Sequence, residues 1–293
     1  MKNSAYYARK IKRIIGGARK GPGSPQASVE QAPDRIRLLL TAILEENATG
    51  SQVRRAMSGL EEEYVDRNEL RVSPIKDIVD AIGRDYPQAW AKAEKIVRAL
   101  NVAFDRTNAL SLDYLQKKPK RDIRRLLSED LGLSRYAEAV VTLYGFGGHA
   151  VAVDGLLVAA LKLDGYVDPD TDGEDVQGFL ERIVPAKDDL GCHEALREYV
   201  AKSYRRAWTE LTRQEKIRQA EEAAAQAKAR AEAEAAVAAE EARKQEAADA
   251  AREAADAARE AAKAGKAKTA SKAPAKRAGV PKREPSRLGS PPK

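Results

Sequence analysis

Apolar residues in the first two thirds of this chain recur every three or four positions, which is the period of an α-helix rather than of a β-strand. No segment alternates between apolar and polar residues as a half-buried strand does. The helical spacing is clearest in three runs: Val53, Met57, Leu60 and Tyr64; Trp90, Ala93, Val97 and Leu100; and Val176, Phe179, Leu180 and Ile183. The sequence therefore predicts an all-α domain over residues 29–210.

One short helix shows both of its boundaries in the sequence. Ser73 is a residue type that caps helix N-termini, and Pro74 suits the first helical turn. Gly83 suits the residue just beyond a helix C-terminus. Between Pro74 and Gly83 the apolar residues again follow helical spacing. We predict a complete short helix between these two residues.

The composition changes abruptly after Leu211, where Ala, Glu, Lys and Arg become dominant. Such a segment has high helix propensity but no apolar stripe that could face a core, and the heptad AADAARE occurs twice between Ala247 and Glu260. We predict a solvated helix over residues 211–264, with weak self-association through an alanine-packed coiled coil as the alternative. Residues 265–293 are rich in Lys, Ala, Pro and Ser and are predicted to be a disordered tail.

Basic residues are concentrated at the two ends of the chain, although the net charge is only +7. Residues 1–20 contain seven basic residues and no acidic one, and residues 263–293 contain ten basic residues and Glu284. The Gly, Pro and Ser content of residues 21–26 predicts a linker, so residues 1–28 are interpreted as a hinged basic arm. Basic ends of this kind favour a polyanionic partner, of which nucleic acid is the commonest.

The sequence also bears on the compartment. The longest apolar stretch, Ala150 to Leu163, is interrupted by Asp154 and Lys162 and is shorter than a bilayer-spanning helix. No apolar leader follows the first charged residues, and the single cysteine, Cys192, cannot form an internal disulfide. These features predict a cytoplasmic protein that makes no membrane contact.

The most informative segment is DLGLSRYAEAVVTLYGFGGHAVAVDGLLVAALKL, residues 130–163. A tight turn at Leu131–Ser134 leads into a helix, glycines at 145–148 end that helix, and Asp154 begins the next one. This arrangement resembles the helix-hairpin-helix DNA glycosylase superfamily, in particular its endonuclease III branch. In that superfamily a hairpin of pattern LPGVGxKTA precedes an AVD(T)H element. Val151 to Asp154 is similar to the second element and stands at nearly the same distance from the hairpin.

The resemblance extends to both sides of this segment, over about 180 residues in all. LLTAILEENATG, residues 39–50, is similar to the first core helix of the superfamily and the polar turn after it, and residues 175–204 are similar to its closing helices. It implies a two-lobed helical fold that binds double-stranded DNA. It also implies that Asp154 is the catalytic carboxylate and that Asn47 enters the gap left by an extruded base.

Three departures from the superfamily pattern change the implied chemistry. Tyr136 stands where bifunctional members have a lysine, and a phenol cannot form the Schiff base of a lyase. No cysteine follows Cys192, so the chain lacks the ligands of an iron–sulfur cluster and no cofactor is expected. The hairpin keeps Gly132 as one of its two usual glycines. The resemblance therefore implies a monofunctional N-glycosylase acting in base excision repair.

The same resemblance places DNA contacts around the hairpin, because backbone N–H groups and cationic side chains there can hold phosphates. The candidate DNA-binding residues are Asn47, Gly132, Ser134, Arg135 and Tyr136, with the basic cluster Lys117, Lys118, Lys120 and Arg121 just before the hairpin.

Each of these residues also has a plain structural interpretation. Asp154 could simply cap a helix, Asn47 could end one, Tyr136 could pack in a core, and the basic cluster could be a solvated face. The chain could correspondingly be a catalytically inactive, structural or chromatin-associated DNA-binding protein of the same fold, or an adaptor built on the long helix. Asp168, Asp170 and Asp172 resemble the start of a calcium loop but lack its twelfth ligand, and the two histidines lack metal-ligand spacing, so no metal site is expected.

Overall fold

The structure is a computed structural model that describes residues 4–18 and 34–270. The linker over residues 21–26 and the tail beyond residue 270 lie outside the described residues. The chain divides into two compact units, Met1–Arg218 and Gln219–Lys293. Across the described parts the chain forms eleven α-helices and no β-strand, so the all-α prediction is confirmed.

The helices are named here in the order of the chain. They are α1 (Ser4–Ala18), α2 (Arg35–Glu45), α3 (Gly50–Glu63), α4 (Arg67–Val72), α5 (Ile75–Ile82), α6 (Ala89–Thr107), α7 (Lys120–Glu129), α8 (Arg135–Val140), α9 (Gly155–Leu163), α10 (Gly173–Ile183) and α11 (Asp189–Ala270). Two short 3-10 turns lie at Asp113–Leu115 and Ala186–Asp188, and a π-helical turn over Val141–Gly145 follows α8.

Two hydrophobic cores lie within the first unit. The larger core is formed by α2 to α8, and the smaller one by α1, α9, α10 and the first turns of α11. The segment before α9 alternates between them, because Ala150 and Ala152 are buried in the larger core whereas Val151 and Val153 are buried in the smaller one. Asp154 therefore lies where the chain leaves the boundary between the two cores and begins α9.

Helix α1 differs from the predicted basic arm. Ile11 is fully buried in the smaller core, and Tyr7, Ile14 and Ile15 pack around it. The Lys10 ammonium donates to the carbonyl of Gly165 at 2.8 Å, so even this cation has a structural role. Residues 4–18 are thus an amphipathic helix that completes a core, because their apolar side chains fall on one face while their charges fall on the other.

The boundaries of α5 were predicted only in part. Gly83 ends the helix with a φ of +100°, which glycine adopts without strain, and its N–H bonds to the carbonyl of Val79. At the other end Pro74 takes the N-cap position, and Ser73 instead donates its hydroxyl to the carbonyl of Glu69 at the end of α4. Ser73 was therefore wrongly predicted as the cap of α5, because it terminates the preceding helix.

Helix α11 begins at Asp189, well before the change of composition at Leu211. Its first turns bury Cys192, Leu196 and Val200 in the smaller core. In the second unit the helix continues from Gln219 to Ala270, and every side chain described there, including Val237, is exposed. The solvated helix is thus observed, and it continues past the predicted boundary, residue 264, to Ala270, the last described residue.

Candidate active site

Asp154 is the N-cap of α9 and is almost completely buried. Its Oδ1 accepts a hydrogen bond from the N–H of Leu157 at 2.8 Å, and its Oδ2 accepts one from the N–H of Asn47 at 2.9 Å. The first bond is the usual one of a capping aspartate. The second joins the start of α9 to the turn after α2, and thereby fixes the direction of the carboxylate.

Asn47 lies in that turn with a φ of +56°, a left-handed conformation that Asn tolerates better than most residues. Its side chain is 7% exposed, and its Oδ1 accepts from the N–H of Leu156 at 3.1 Å. Asn47 and Asp154 therefore cap the same helix together. The predicted role of Asn47 in filling the gap of an extruded base does not fit this placement, because the amide is turned into the protein and engaged there.

Arg197 on α11 joins this group, and sequence reasoning missed it. Its guanidinium donates to the carbonyl of Ala48 at 2.8 Å, and it lies 3.2 Å from Glu45 Oε1 and 3.8 Å from Asp154 Oδ2. Burial raises the pKa of Asp154, whereas the N–H of Leu157 and the charge of Arg197 lower it, with a net upward shift. The carboxylate is thus partly desolvated, with one compensating cation beside it.

Lys92 supports the same turn from the other side, and its role was also missed. It is 1% exposed, and its ammonium donates to the carbonyl of Leu44 at 2.9 Å and to that of Glu46. Burial lowers its pKa to about 8. Lys92 therefore satisfies the free carbonyls at the end of α2 and holds the turn that carries Asn47.

Tyr136 on α8 is buried, and its hydroxyl has no hydrogen-bond partner among the described residues. Burial raises the pKa of the phenol well above its usual value, and the charge of Glu45 acts in the same direction. Tyr136 is thus a neutral phenol whose hydroxyl is buried close to Glu45.

A cleft of about 490 Å³ opens beside Asp154. This volume is within the roughly 300–1,000 Å³ of small-molecule sites. The cleft is bounded by α8, α9, α10 and α11, and its lining residues are Glu46, Arg135, Tyr136, Val153, Asp154, Gly155, Val158, Asp172, Gly173, Glu174, Gln177, Leu211 and Gln214. The structure therefore brings three predicted residues, Arg135, Tyr136 and Asp154, into one cleft.

The hairpin before α8 forms the predicted tight turn. Gly132 has a φ of +69°, a left-handed conformation that favours glycine, and the Arg98 guanidinium lies close against it. Ser134 caps α8 by accepting from the N–H of Ala137 at 3.3 Å. Arg98 was not a predicted site residue; it is exposed and lies against the hairpin backbone, where it adds a positive charge.

The basic cluster lies away from the cleft, since none of its four residues lines it. All four residues are exposed, and Lys120 also donates to the carbonyl of Phe146. The side chains of Lys117, Lys118 and Arg121 are thus accessible to a partner. Lys120 instead helps to hold the end of the turn after α8.

His193 lies behind Tyr136, with Tyr144 packed edge-on against it at a centroid distance of 5.5 Å. Burial, and then the charge of Arg197, lower the pKa of His193 to about 4. Glu45 Oε2 is 3.9 Å away, too far for a hydrogen bond that would hold the proton. The imidazole is therefore neutral in the folded chain at neutral pH.

We expect His193 to make folding sensitive to acid. In the unfolded chain His193 is protonated below its ordinary pKa of 6.5, whereas in the folded chain it is protonated only below about pH 4. The free energy of unfolding therefore falls as the pH is lowered from 6.5 to about 4. The full effect is about 3 kcal/mol. Urea unfolding between pH 4 and pH 7 should show a weaker loss for His193→Asn than for the unsubstituted chain.

His149→Asn is the matched control, because the pKa of His149 is shifted in the opposite direction from that of His193. Burial lowers the pKa of His149, but its hydrogen bond to Asp189 at 2.7 Å, its bond to the carbonyl of Glu181 and the charges of these two carboxylates together raise the pKa overall. The contribution of His149 to the free energy of unfolding is therefore complete below pH 6.5 and is lost as the pH rises through its raised pKa. An unchanged acid dependence in His193→Asn would contradict the assignment.

No group of three His, Cys, Asp or Glu side chains in the described residues has the geometry to hold a metal ion. No helix in the same residues is long and apolar enough to cross a membrane.

Comparison with known proteins reveals similarity of structure without detectable similarity of sequence. No protein-family model and no curated protein matches the chain. A non-covalent endonuclease III–DNA complex matches with a TM-score of 0.51 and 19% identity, over 67% of this chain and 85% of that one. The 3-methyladenine DNA glycosylase of H. pylori bound to 1,N6-ethenoadenine matches with a TM-score of 0.50 and 13% identity, over 68% of this chain and 98% of that one. At these identities the comparison shows a shared fold.

Proposed function

We propose that this chain, which has the fold of the helix-hairpin-helix DNA glycosylases, is a monofunctional DNA N-glycosylase that removes damaged or mismatched bases in base excision repair. The observation that carries the proposal is the position of Asp154, whose carboxylate is fixed by two N–H groups at the wall of a cleft large enough for a base. In the solved structures of this fold, the named proteins act on DNA.

The chemistry follows from what the cleft contains. A base inside a duplex cannot be reached, so its nucleotide must leave the stack and enter the cleft. Breaking the N-glycosidic bond develops positive charge on the sugar, and the Asp154 carboxylate can stabilise that charge and orient water. Tyr136, in the same cleft, supplies no amine for a Schiff base. Hydrolysis without strand cleavage is the reaction that these residues support.

Contacts to the DNA backbone would come from the hairpin and the cations around it. The turn at Gly132 and Ser134 is partly buried, its backbone N–H groups are the candidates to hold a phosphate, and Arg135 and Arg98 lie beside it. Lys117, Lys118 and Arg121 add exposed charge just before the hairpin, and the basic residues of the tail add charge without sequence preference. Asn47 is not included among these contacts, because its side chain is engaged at α9.

A second function is favoured by one feature of the site. Asp154 is 5% exposed, and Leu211 lies so close to Gly155 that a Cβ there would be 2.8 Å from Leu211 Cδ1. A carboxylate that is this deeply buried is also what a purely structural helix cap would show. The alternative is therefore a catalytically inactive, structural or chromatin-associated DNA-binding protein of the same fold.

The experiment that tests the proposal is base release from duplexes that carry uracil, alkylated, oxidised or mismatched bases, with and without alkali afterwards. A glycosylase without lyase activity gives strand breaks only after alkali. Breaks without alkali would contradict the monofunctional assignment. Salt-sensitive binding with no release from any duplex would favour the inactive DNA-binding protein.

A further inference from the structure

The cleft beside Asp154 is strongly acidic for a site expected to meet DNA. Four carboxylates line it, those of Glu46, Asp154, Asp172 and Glu174, against the single cation Arg135. Arg135 is itself paired with Glu174 at 2.7 Å. The formal charge of the lining is therefore strongly negative, whereas the exposed cations of the basic cluster and Arg98 lie outside it.

Three other cations lie near these carboxylates without lining the cleft. Lys95 is 3.7 Å from Glu46, Arg197 is 3.8 Å from Asp154, and the buried Lys92 interacts with both carboxylates. Among the lining residues themselves, a group that enters the cleft meets four carboxylates and one cation. The rest of the lining is apolar or neutral, with Val153, Val158, Leu211 and two glutamine amides. Apolar walls strengthen the field of the carboxylates by keeping water away from part of the cleft.

We propose that this cleft selects a nucleobase that carries a positive charge, such as a purine alkylated on a ring nitrogen. The inference rests on the proposed glycosylase function and names the substrate class of that same site. A cationic base gains from the carboxylates that line the cleft, whereas a neutral base gains nothing and an anionic one is repelled.

The chemistry of such a base suits the residues present. When the glycosidic bond breaks, its electron pair stays on the base nitrogen and cancels the positive charge, so the base leaves neutral and needs no proton. Water supplies the oxygen that bonds to the sugar C1′, and its proton passes to Asp154 and then to solvent. A neutral base would leave as an anion, which the carboxylates would repel, unless an acid protonated it, and neither histidine nor lysine is among the residues lining the cleft.

The test compares single-turnover release of N7-methylguanine, which carries a formal positive charge, with release of uracil, hypoxanthine and 8-oxoguanine from matched duplexes. The full-length chain is compared with Glu174→Gln, and spontaneous loss is subtracted. Glu174 is well exposed, so its substitution should leave the fold intact. Glu62→Gln is the matched control, because Glu62 is an exposed carboxylate on α3 that does not line the cleft.

We expect release of N7-methylguanine above background, no comparable release of the neutral bases, and a roughly three- to tenfold slower release in Glu174→Gln, the size of one charge acting across a partly hydrated cleft. Glu62→Gln should match the unsubstituted chain. Release of neutral bases as fast as the cation, or an unchanged rate in Glu174→Gln, would overturn the inference and leave the proposed function standing.

A binding measurement separates the remaining outcomes. The affinity for 1-methyladenosine, a cation at neutral pH, is compared with that for adenosine. If no duplex loses a base but the cation binds more tightly, and Glu174→Gln removes that preference, the glycosylase function fails while the charge selection stands. If no base is released and the two nucleosides bind equally, both are overturned.

Discussion

Replacing Asp154 with Asn is expected to lower base release by roughly 10²- to 10⁴-fold, the usual contribution of a group that handles a proton in the transition state. The amide keeps the size of the carboxylate but has neither its charge nor its basicity. Developing positive charge on the sugar would then have no partner, and attacking water would lose its base. Single-turnover release from the best duplex of the panel measures the loss. DNA affinity should change little, because the proposed phosphate contacts lie at the hairpin and the basic cluster.

The same substitution should also cost some stability. The oxygen of the new asparagine can still accept from the N–H of Leu157. Its NH₂ group would then face the N–H of Asn47, which in the unsubstituted chain donates to Asp154 Oδ2 at 2.9 Å. A buried donor left without an acceptor costs about 1–3 kcal/mol. Unfolding measurements must therefore show that Asp154→Asn is folded at the assay temperature.

Asp66→Asn is the matched control, because Asp66 is an exposed N-cap that accepts from Asn68 and Glu69 at the start of α4. This variant makes the same Asp-to-Asn replacement at the N-cap of α4, a helix that does not line the cleft. Base release by this variant should equal that of the unsubstituted chain. Full activity in Asp154→Asn would remove Asp154 from the mechanism, whatever the control shows.

Local patterns in the sequence were enough to predict the helical fold and the position of Asp154 within it. The period of the apolar residues indicated the helices, Gly83 the end of one, and Asp154 the beginning of another. Each of these depends on side chains within one or two turns of each other. The tight turn at Gly132 and Ser134 was likewise predicted from residues close together in the sequence.

The remaining features of the site depend on contacts between residues far apart in the chain. Arg197 lies on α11, far from Asp154 in the sequence. An arginine on a helix usually faces solvent, and no residue near Arg197 in the sequence indicates that it is partly buried beside Asp154. Lys92 is similar, because a lysine in a helix gives no sign that its ammonium will meet the end of another helix. The engagement of Asn47 was missed for the same reason, since its partner Leu156 belongs to α9.

The prediction for α1 is wrong for a different reason. Its basic residues indicate a solvated arm, whereas Tyr7, Ile11, Ile14 and Ile15 have the spacing of an apolar helix face. An amphipathic helix with a basic face has both properties at once. Net charge alone therefore cannot distinguish a solvated arm from a helix that completes a core.

Replacing Tyr136 with Lys is expected to introduce a lyase activity. The position is buried at the wall of the cleft that contains Asp154, and the hydroxyl that a lysine would replace has no hydrogen-bond partner in the described structure. Burial lowers the pKa of an amine and so leaves more of it in the nucleophilic, unprotonated form. The amine could then attack C1′ after base loss and form a Schiff base.

Borohydride reduction measures this directly, because it converts the Schiff base into a stable covalent complex of protein and DNA. We expect at least roughly tenfold more trapped complex with Tyr136→Lys than with the unsubstituted chain, together with strand breaks that need no alkali. Tyr144→Lys is the matched control, since Tyr144 is also an aromatic residue beside His193 but does not line the cleft.

The pattern of trapping across the three proteins decides what the cleft does. Trapping by both variants would mean that any nearby amine suffices. Trapping by the unsubstituted chain would mean that another amine already reaches the sugar, and the absence of lysine at position 136 would then no longer decide the reaction. If only Tyr136→Lys is trapped, the sugar of the bound nucleotide lies within reach of position 136, which places the reaction in the same cleft as Asp154.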